Sequence, residues 1–183
     1  MKYFSRSCAM MALGFGLWSC GPDERTAEMP PPREISADAI GHFCGMALTE
    51  HPGPKGQIFV DGREEPFWFA SVTELIAFTL LPEESKRILA MYVTDMSGAV
   101  NFDVPASGNW IDAKTAHFVI GSELQAGMGA REAVPFSAPA DAKAFVAANG
   151  GQIVSFGQVP EDYVLSYDGT AEGTYSAPAS ATE

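Results

Sequence analysis

The sequence predicts an α+β protein made of two similar, small ββαβ units packed together, preceded by a lipoprotein signal and a linker. Three observations predict it. A segment recurs, FASVTELIAF at 69–78 and FSAPADAKAF at 136–145. Short runs rich in β-branched and aromatic residues bracket both copies. An apolar run too short to span a bilayer follows a basic start at the N-terminus.

Each copy of the repeat carries a helix start. In the first, Ser71 and Glu74 fit a capping box, and Leu75, Ile76 and Phe78 then face a core. In the second, Pro139 suits an early helical position and Asp141 suits the positive end of the helix dipole. Asn149-Gly150-Gly151 supplies the stop.

The strands follow from alternation. The first half offers QIFVD at 57–61, EPFWF at 65–69 and LAMYVTD at 89–95. The second offers AHFVIG at 116–121, AVPF at 133–136 and QIVSF at 152–156. Each half therefore reads strand, strand, helix, strand, over roughly 39–96 and 108–160. Residues 112–115 fall between elements and receive no assignment. Pro66 and Pro135 remove a ladder donor from the second strand of each unit, so both strands are expected at sheet edges. Units this small bury too little surface to stand alone, so they are expected to share a core.

The flanks are different in kind. Lys2 and Arg6 precede an apolar run at 9–18, which ends in Leu17-Trp18-Ser19-Cys20. That ending resembles a bacterial lipobox, whose Cys is acylated and becomes the mature N-terminus. Residues 1–19 are thus expected to be a signal peptide, with Cys20 lipidated. Residues 20–38, with Pro30, Pro31 and Pro32 among acidic residues, read as an extended, solvated linker. The folded region is expected over 39–168. The stretch 169–183, rich in Ala, Ser, Thr and Gly, is expected to be a disordered tail. The formal net charge of −12 repels phosphate backbones and argues against nucleic-acid binding.

The cysteines carry the chemistry. Of the three, Cys8 leaves with the signal and Cys20 takes the lipid, so Cys44 is left without a disulfide partner in an oxidising compartment. Such a thiol is buried and inert, a nucleophile, or a metal ligand. Cys44 and Met46 form a Cys-x-Met pair across Gly45, on a loop rich in Gly and Pro. A thiolate beside a thioether is a soft donor pair, and soft donors select Cu(I). Met128, flanked by Gly127 and Gly129, is the candidate third ligand, with a plug between the two halves as its alternative. His42 and His51 lie near enough in sequence to close the site, whereas His117 sits in a strand. Apart from Cys8 and Cys20 there is no second Cys to join Cys44, and no zinc-type spacing. Met91 and Met96 read as core filler.

F-C-G-M at 43–46, E-H-P-G-P-K-G-Q-I at 50–58, and V-I-G-S followed by G-M-G and V-P-F resemble the NosL family. NosL proteins are accessory lipoproteins of nitrous oxide reductase in denitrifying bacteria. The resemblance runs from about Gly41 to Pro160 and implies a NosL-like domain over 39–168. It implies a copper chaperone, not an enzyme, that binds Cu(I) at Cys44 and Met46, with Met128 matching a recurrent Met. Its implied partners are nitrous oxide reductase, as copper acceptor during assembly of the copper centres, and a membrane transport and assembly complex. Its implied place is the periplasmic face of a bacterial membrane, held by the lipid on Cys20, the outer membrane in preference to the inner. Two alternatives remain open on the residues alone. One is a periplasmic thiol enzyme using Cys44 with a His. The other is a non-catalytic scaffold lipoprotein in which Cys44 is buried.

Overall fold

The computed structural model describes residues 29–99, 101–103 and 108–166. The signal expected at 1–19, the lipidation residue Cys20 and the tail expected at 169–183 lie outside the described residues.

The first unit runs β1 (Gly56–Val60), β2 (Phe67–Phe69), α1 (Val72–Leu80) and β3 (Ile88–Thr94). After a short strand β4 (Trp110–Asp112), the second unit runs β5 (His117–Ile120), β6 (Val134–Phe136), α2 (Pro139–Asn149) and β7 (Gln152–Ser155). A short helix α3 (Glu161–Leu165) follows. The sheets are antiparallel, with strand orders β2-β1-β3-β4 and β6-β5-β7. The repeat is therefore topological as well as sequential: each unit's first strand is central, its second an edge. Pro135 lies within the edge strand β6, where a missing N–H costs no ladder bond, whereas Pro66 falls just outside β2, the edge strand expected to contain it.

The helix ends are those the sequence encodes. Ser71 Oγ accepts from Glu74 N at 3.1 Å, and the Glu74 carboxylate reaches back to Ala70 N at 3.0 Å. At the end of α2, Gly150 takes φ 71°, a conformation that would strain a residue with a Cβ.

One apolar cluster joins the two units. It combines Ile58 and Val93 of the first sheet, Phe69, Leu75 and Phe78 around α1, and Phe118 and Ile120 of β5. Val159 and Tyr163, at and before α3, complete it. Alternation along β5 explains the layering. Phe118 and Ile120 turn into the shared core, while Val119 between them turns to Val134, Phe136 and Ala142 under α2. The helix in the shared core buries Val72, Thr73, Leu75, Ile76 and Phe78, whereas α2 covers an outer face and buries only Ala142.

The linker expected to stand free over 20–38 does not do so in its described part. Residues 30–34 lie across the outer face of the first sheet. Pro30 O accepts from Tyr92 Oη at 2.8 Å. The side-chain amide of the fully buried Gln57 pairs with both backbone groups of Arg33, each at 2.9 Å. The Arg33 guanidinium pairs with Glu65. Proline keeps this strap extended, and the sheet supplies the partners that its backbone needs.

Candidate metal centre

Cys44 and Met46 sit on a tight turn at the open edge of the first sheet. Ile40 and Ala47 form an antiparallel bridge that closes it. Gly41 N donates to Met46 O at 2.9 Å, and Gly45 N donates to Gly41 O at 2.9 Å. Gly45 has φ +67°, so the single residue between the two sulfurs reverses the chain at no steric cost. The turn is docked on β2 through a parallel bridge of Gly41 to Trp68 and a 2.7 Å bond from His42 N to Trp68 O. The turn is thus closed and docked by backbone bonds that do not use the Cys44 or Met46 side chains.

The two sulfur residues differ in exposure. Cys44 is half-buried and its thiol lies over Gly41: a Cβ added there would come within 2.5 Å of Cys44 Sγ. Met46 is 37% exposed and stands among other exposed apolar residues, Ile40 and Phe43. A thiol set in from the surface beside an accessible thioether can take a soft ion and release it to a partner that approaches from outside.

The histidines separate. His42 is engaged by Glu84 and by aromatic rings. Its Nε2 meets Glu84 Oε1 at 2.9 Å, and its ring packs among Phe43, Phe67 and Phe78 at centroid distances of 4.5 to 5.5 Å. Its imidazole is committed to fixing the turn. His51 is half-buried, and its Nε2 is buried with no hydrogen-bond partner. A buried imidazole nitrogen left without a partner costs free energy unless something binds it, so His51 Nε2 is open to a ligand, as a lone pair or an N–H according to the tautomer. His117 lies on β5, half-buried, opposite Phe136 and Ser155 of the neighbouring strands.

Met128 lies in a 3-10 turn, Gly127–Gly129, at the tip of a loop closed by a bridge between Gln125 and Arg131. That loop comes against the segment following Cys44 and Met46. A Cβ on Gly127 would stand 2.7 Å from His51 Nδ1. The structure thus brings the Met128 turn to His51.

Two buried ionisable residues lie behind these loops, and the sequence singled out neither. Lys55, 4% exposed, donates from Nζ to Pro52 O at 3.0 Å and to Gly53 O at 2.5 Å, holding the loop that carries His51. Burial pushes its amine down to about 8, against the pull of Glu132 and Glu74. Glu132, 1% exposed, crosses from the second unit to the first. Its Oε1 accepts from Val72 N at 3.0 Å, Thr73 N at 3.2 Å and Ala133 N at 2.8 Å. Burial pushes its carboxyl up to about 8, although those N–H donors and Lys55 favour the charged form. A single buried acid in R-E-A-V carries no signal that separates it from a solvated one.

The family model described as NosL matches residues 32–164. The chain is 44% identical over 144 residues to a copper-binding lipoprotein NosL of Achromobacter cycloclastes, covering 78% of this chain and 75% of that protein. It is 34% identical over 149 residues to a copper-binding lipoprotein NosL of Stutzerimonas stutzeri, covering 81% and 76%. Its fold matches the crystal structure of the copper chaperone NosL from Shewanella denitrificans with a TM-score of 0.67 at 34% identity, covering 72% of this chain and 98% of that one.

Proposed function

The chain belongs to the NosL family, and from that premise we propose that it is a Cu(I) metallochaperone. It takes Cu(I) on Cys44 and Met46 and delivers it for assembly of the copper centres of nitrous oxide reductase. It works at the periplasmic face of a membrane, held by a lipid on Cys20, and hands its ion on with a membrane transport and assembly complex as second partner. The outer membrane is the expected home of the anchor.

The observation that carries this reading is the Cys44–Met46 turn itself. It places a half-buried thiol and an accessible thioether on one backbone-locked reversal. As a thiolate, Cys44 carries most of the affinity. Met46 contributes a neutral soft donor that leaves the ion exchangeable. Met128 closes the site from the second unit, or a histidine does. Of the histidines, His51 suits that role through its unpartnered Nε2, whereas the Nε2 of His42 is already on Glu84. The same contact occupies His42 as a base for the thiol-enzyme alternative, which is left with His51 alone to serve Cys44.

The test is an anaerobic Cu(I) titration competed against a bicinchoninate chelator, on wild type, Cys44→Ala and Met46→Ala. Tight binding by the wild type, lost with Cys44 and weakened with Met46, is the expected result. Transfer to apo nitrous oxide reductase and fractionation of Cys20→Ala then test delivery and anchoring. Equal binding by all three proteins would overturn the site.

A further inference from the structure

We propose that Glu132 is a positioning residue for copper binding: by capping α1 of the first unit from the second, it sets the Met128 loop against the His51 loop, which follows the Cys44–Met46 turn in the chain. The inference rests on the assignment of Met128 as a ligand.

The loop at 125–131 is a closed body. Gln125 bridges Arg131, Ala126 N donates to Ala130 O at 2.8 Å, and Gly129 N donates to Ala126 O at 3.1 Å. Such a loop keeps its own shape, so its stems and outer contacts decide where its tip lies. One stem leaves β5 and is held where Gly121 N donates to Tyr163 Oη at 3.1 Å. The other passes straight into Glu132, whose backbone O accepts from the same Tyr163 Oη at 2.8 Å. Those bonds tie the stems to α3.

What ties the loop to the first unit is the Glu132 side chain. One oxygen gathers the first two backbone donors of α1, Val72 N and Thr73 N, together with Ala133 N. A helix start has donors without intrahelical partners and a positive dipole end, and an acceptor from another unit fits both. The bonds are directional and short, so they fix the stem in a way that apolar packing would not. The second contact is made at the tip, where Gly127 lies on His51. His51 in turn belongs to a loop held by Lys55 Nζ. The Met128 turn is therefore pinned at its stem by Glu132 and at its tip by the His51 loop.

The arrangement is also an expensive one to keep. The Glu132 carboxyl is wholly buried and its Oε2 has no partner. Burying an acid with one oxygen unmet is a poor source of stability, and an apolar residue of similar volume is often at least as good. What an apolar residue lacks is the acceptor that registers one unit on the other. Glu132 thereby acts through the Met128 loop on the ion, without touching it.

The experiment is a double-mutant cycle in Cu(I) affinity on the full mature chain: wild type, Met128→Ala, Glu132→Ala and the double variant. Glu132→Gln, which keeps the acceptor, serves as rescue. Glu132→Ala is expected to weaken Cu(I) binding by roughly 10-fold or more, as loss of a ligand's supporting partner does. The loss should match that of Met128→Ala, and the double variant should lose nothing further. Glu132→Gln should bind like wild type. X-ray absorption at saturating copper should lose the same thioether scattering in Glu132→Ala as in Met128→Ala, which destabilisation alone would not produce. If Glu132→Ala fails to fold, Glu132→Leu fills the volume without the acceptor and carries the same comparison. A weakened Met128→Ala beside an unchanged Glu132→Ala, or additive losses, overturns the inference and leaves the ligand assignment standing. Wild-type affinity in Met128→Ala overturns the ligand assignment and the inference with it.

Discussion

His51 and Gly127 are packed so closely that a Cβ on Gly127 would lie 2.7 Å from His51 Nδ1 and 3.3 Å from its Cβ. The near atoms include the root of the side chain as well as its tip, so the imidazole cannot simply rotate aside. Its loop is also held by Lys55. Gly127→Ala should therefore push the Met128 turn off the first unit. The expected cost is about 1–3 kcal/mol, typical of overpacking, with weaker Cu(I) binding alongside. Urea unfolding and chelator competition read the two effects separately. An unchanged urea midpoint would mean that the two loops separate without cost.

Gly41 poses the same constraint beneath the thiol. Its N and O both close the turn, so its backbone cannot yield, and an added Cβ would meet Cys44 Sγ at 2.5 Å. Gly41→Ala should displace the sulfur while leaving both ligands in the sequence. Cu(I) affinity is expected to fall roughly 10- to 100-fold, the range for disturbed ligand placement. Circular dichroism would verify that the fold persists. Wild-type affinity in this variant would mean that the position of the thiol over Gly41 is irrelevant to binding.

The buried acid and amine make opposite demands on pH. The carboxyl of Glu132 is raised from 4.5 to about 8, so between those values the folded chain holds a proton that the unfolded chain has lost. Its contribution to stability is complete below about pH 4.5 and is lost as pH rises through 8. The amine of Lys55 is lowered from 10.5 to about 8, so its contribution is complete above about 10.5 and is lost as pH falls through 8. Glu74 and Arg131 are the other charges acting on this cluster, which also includes Tyr163. Together the two shifts place a minimum of stability near pH 8, with limbs no steeper than about 1.4 kcal/mol per pH unit. Thermal melts of wild type and Glu132→Gln across pH 5 to 10 check it. The limb that falls between about pH 4.5 and 8 should disappear in the variant, and its persistence would locate the proton elsewhere.

The repeat was legible because it is written in periods long enough to read. Both ββαβ units appear in the sequence within a residue or two, and the Ser71–Glu74 cap appears as the pattern predicts. What the sequence hides is short or context-dependent. Trp110–Asp112 has too few residues to alternate, and only the neighbouring Tyr92–Thr94 edge makes it a strand. Glu161–Leu165 is a single helical turn and a fraction, held by burying Tyr163. The prolines at 30–32 read as linker because nothing local reveals a docking face. Of the candidate ligands, Cys44 and Met46 were visible from residue type and spacing. The contrast between His42 and His51 was not, because it depends on Glu84 and Gly127, distant in sequence.

The strap supplies the last prediction. Gln57 projects from a central strand of the first sheet and is fully buried, and its amide finds both partners in the Arg33 backbone. Gln57→Leu keeps the volume and removes both bonds, so Arg33 N and O must turn to solvent. A loss of about 1–3 kcal/mol is expected for breaking such a pair, whereas Tyr92→Phe, which frees only Pro30 O, should cost about 1 kcal/mol. The sharper readout is proteolysis. Arg33 is a tryptic site whose backbone is engaged in the native chain, and cleavage there needs the strap to lift. Trypsin should cut after Arg33 faster in Gln57→Leu than in wild type, with Tyr92→Phe between them. Equal rates in all three would mean that the strap is held by the Arg33–Glu65 pair and its proline contacts, and Arg33→Lys with Glu65→Ala would then be the variants to compare.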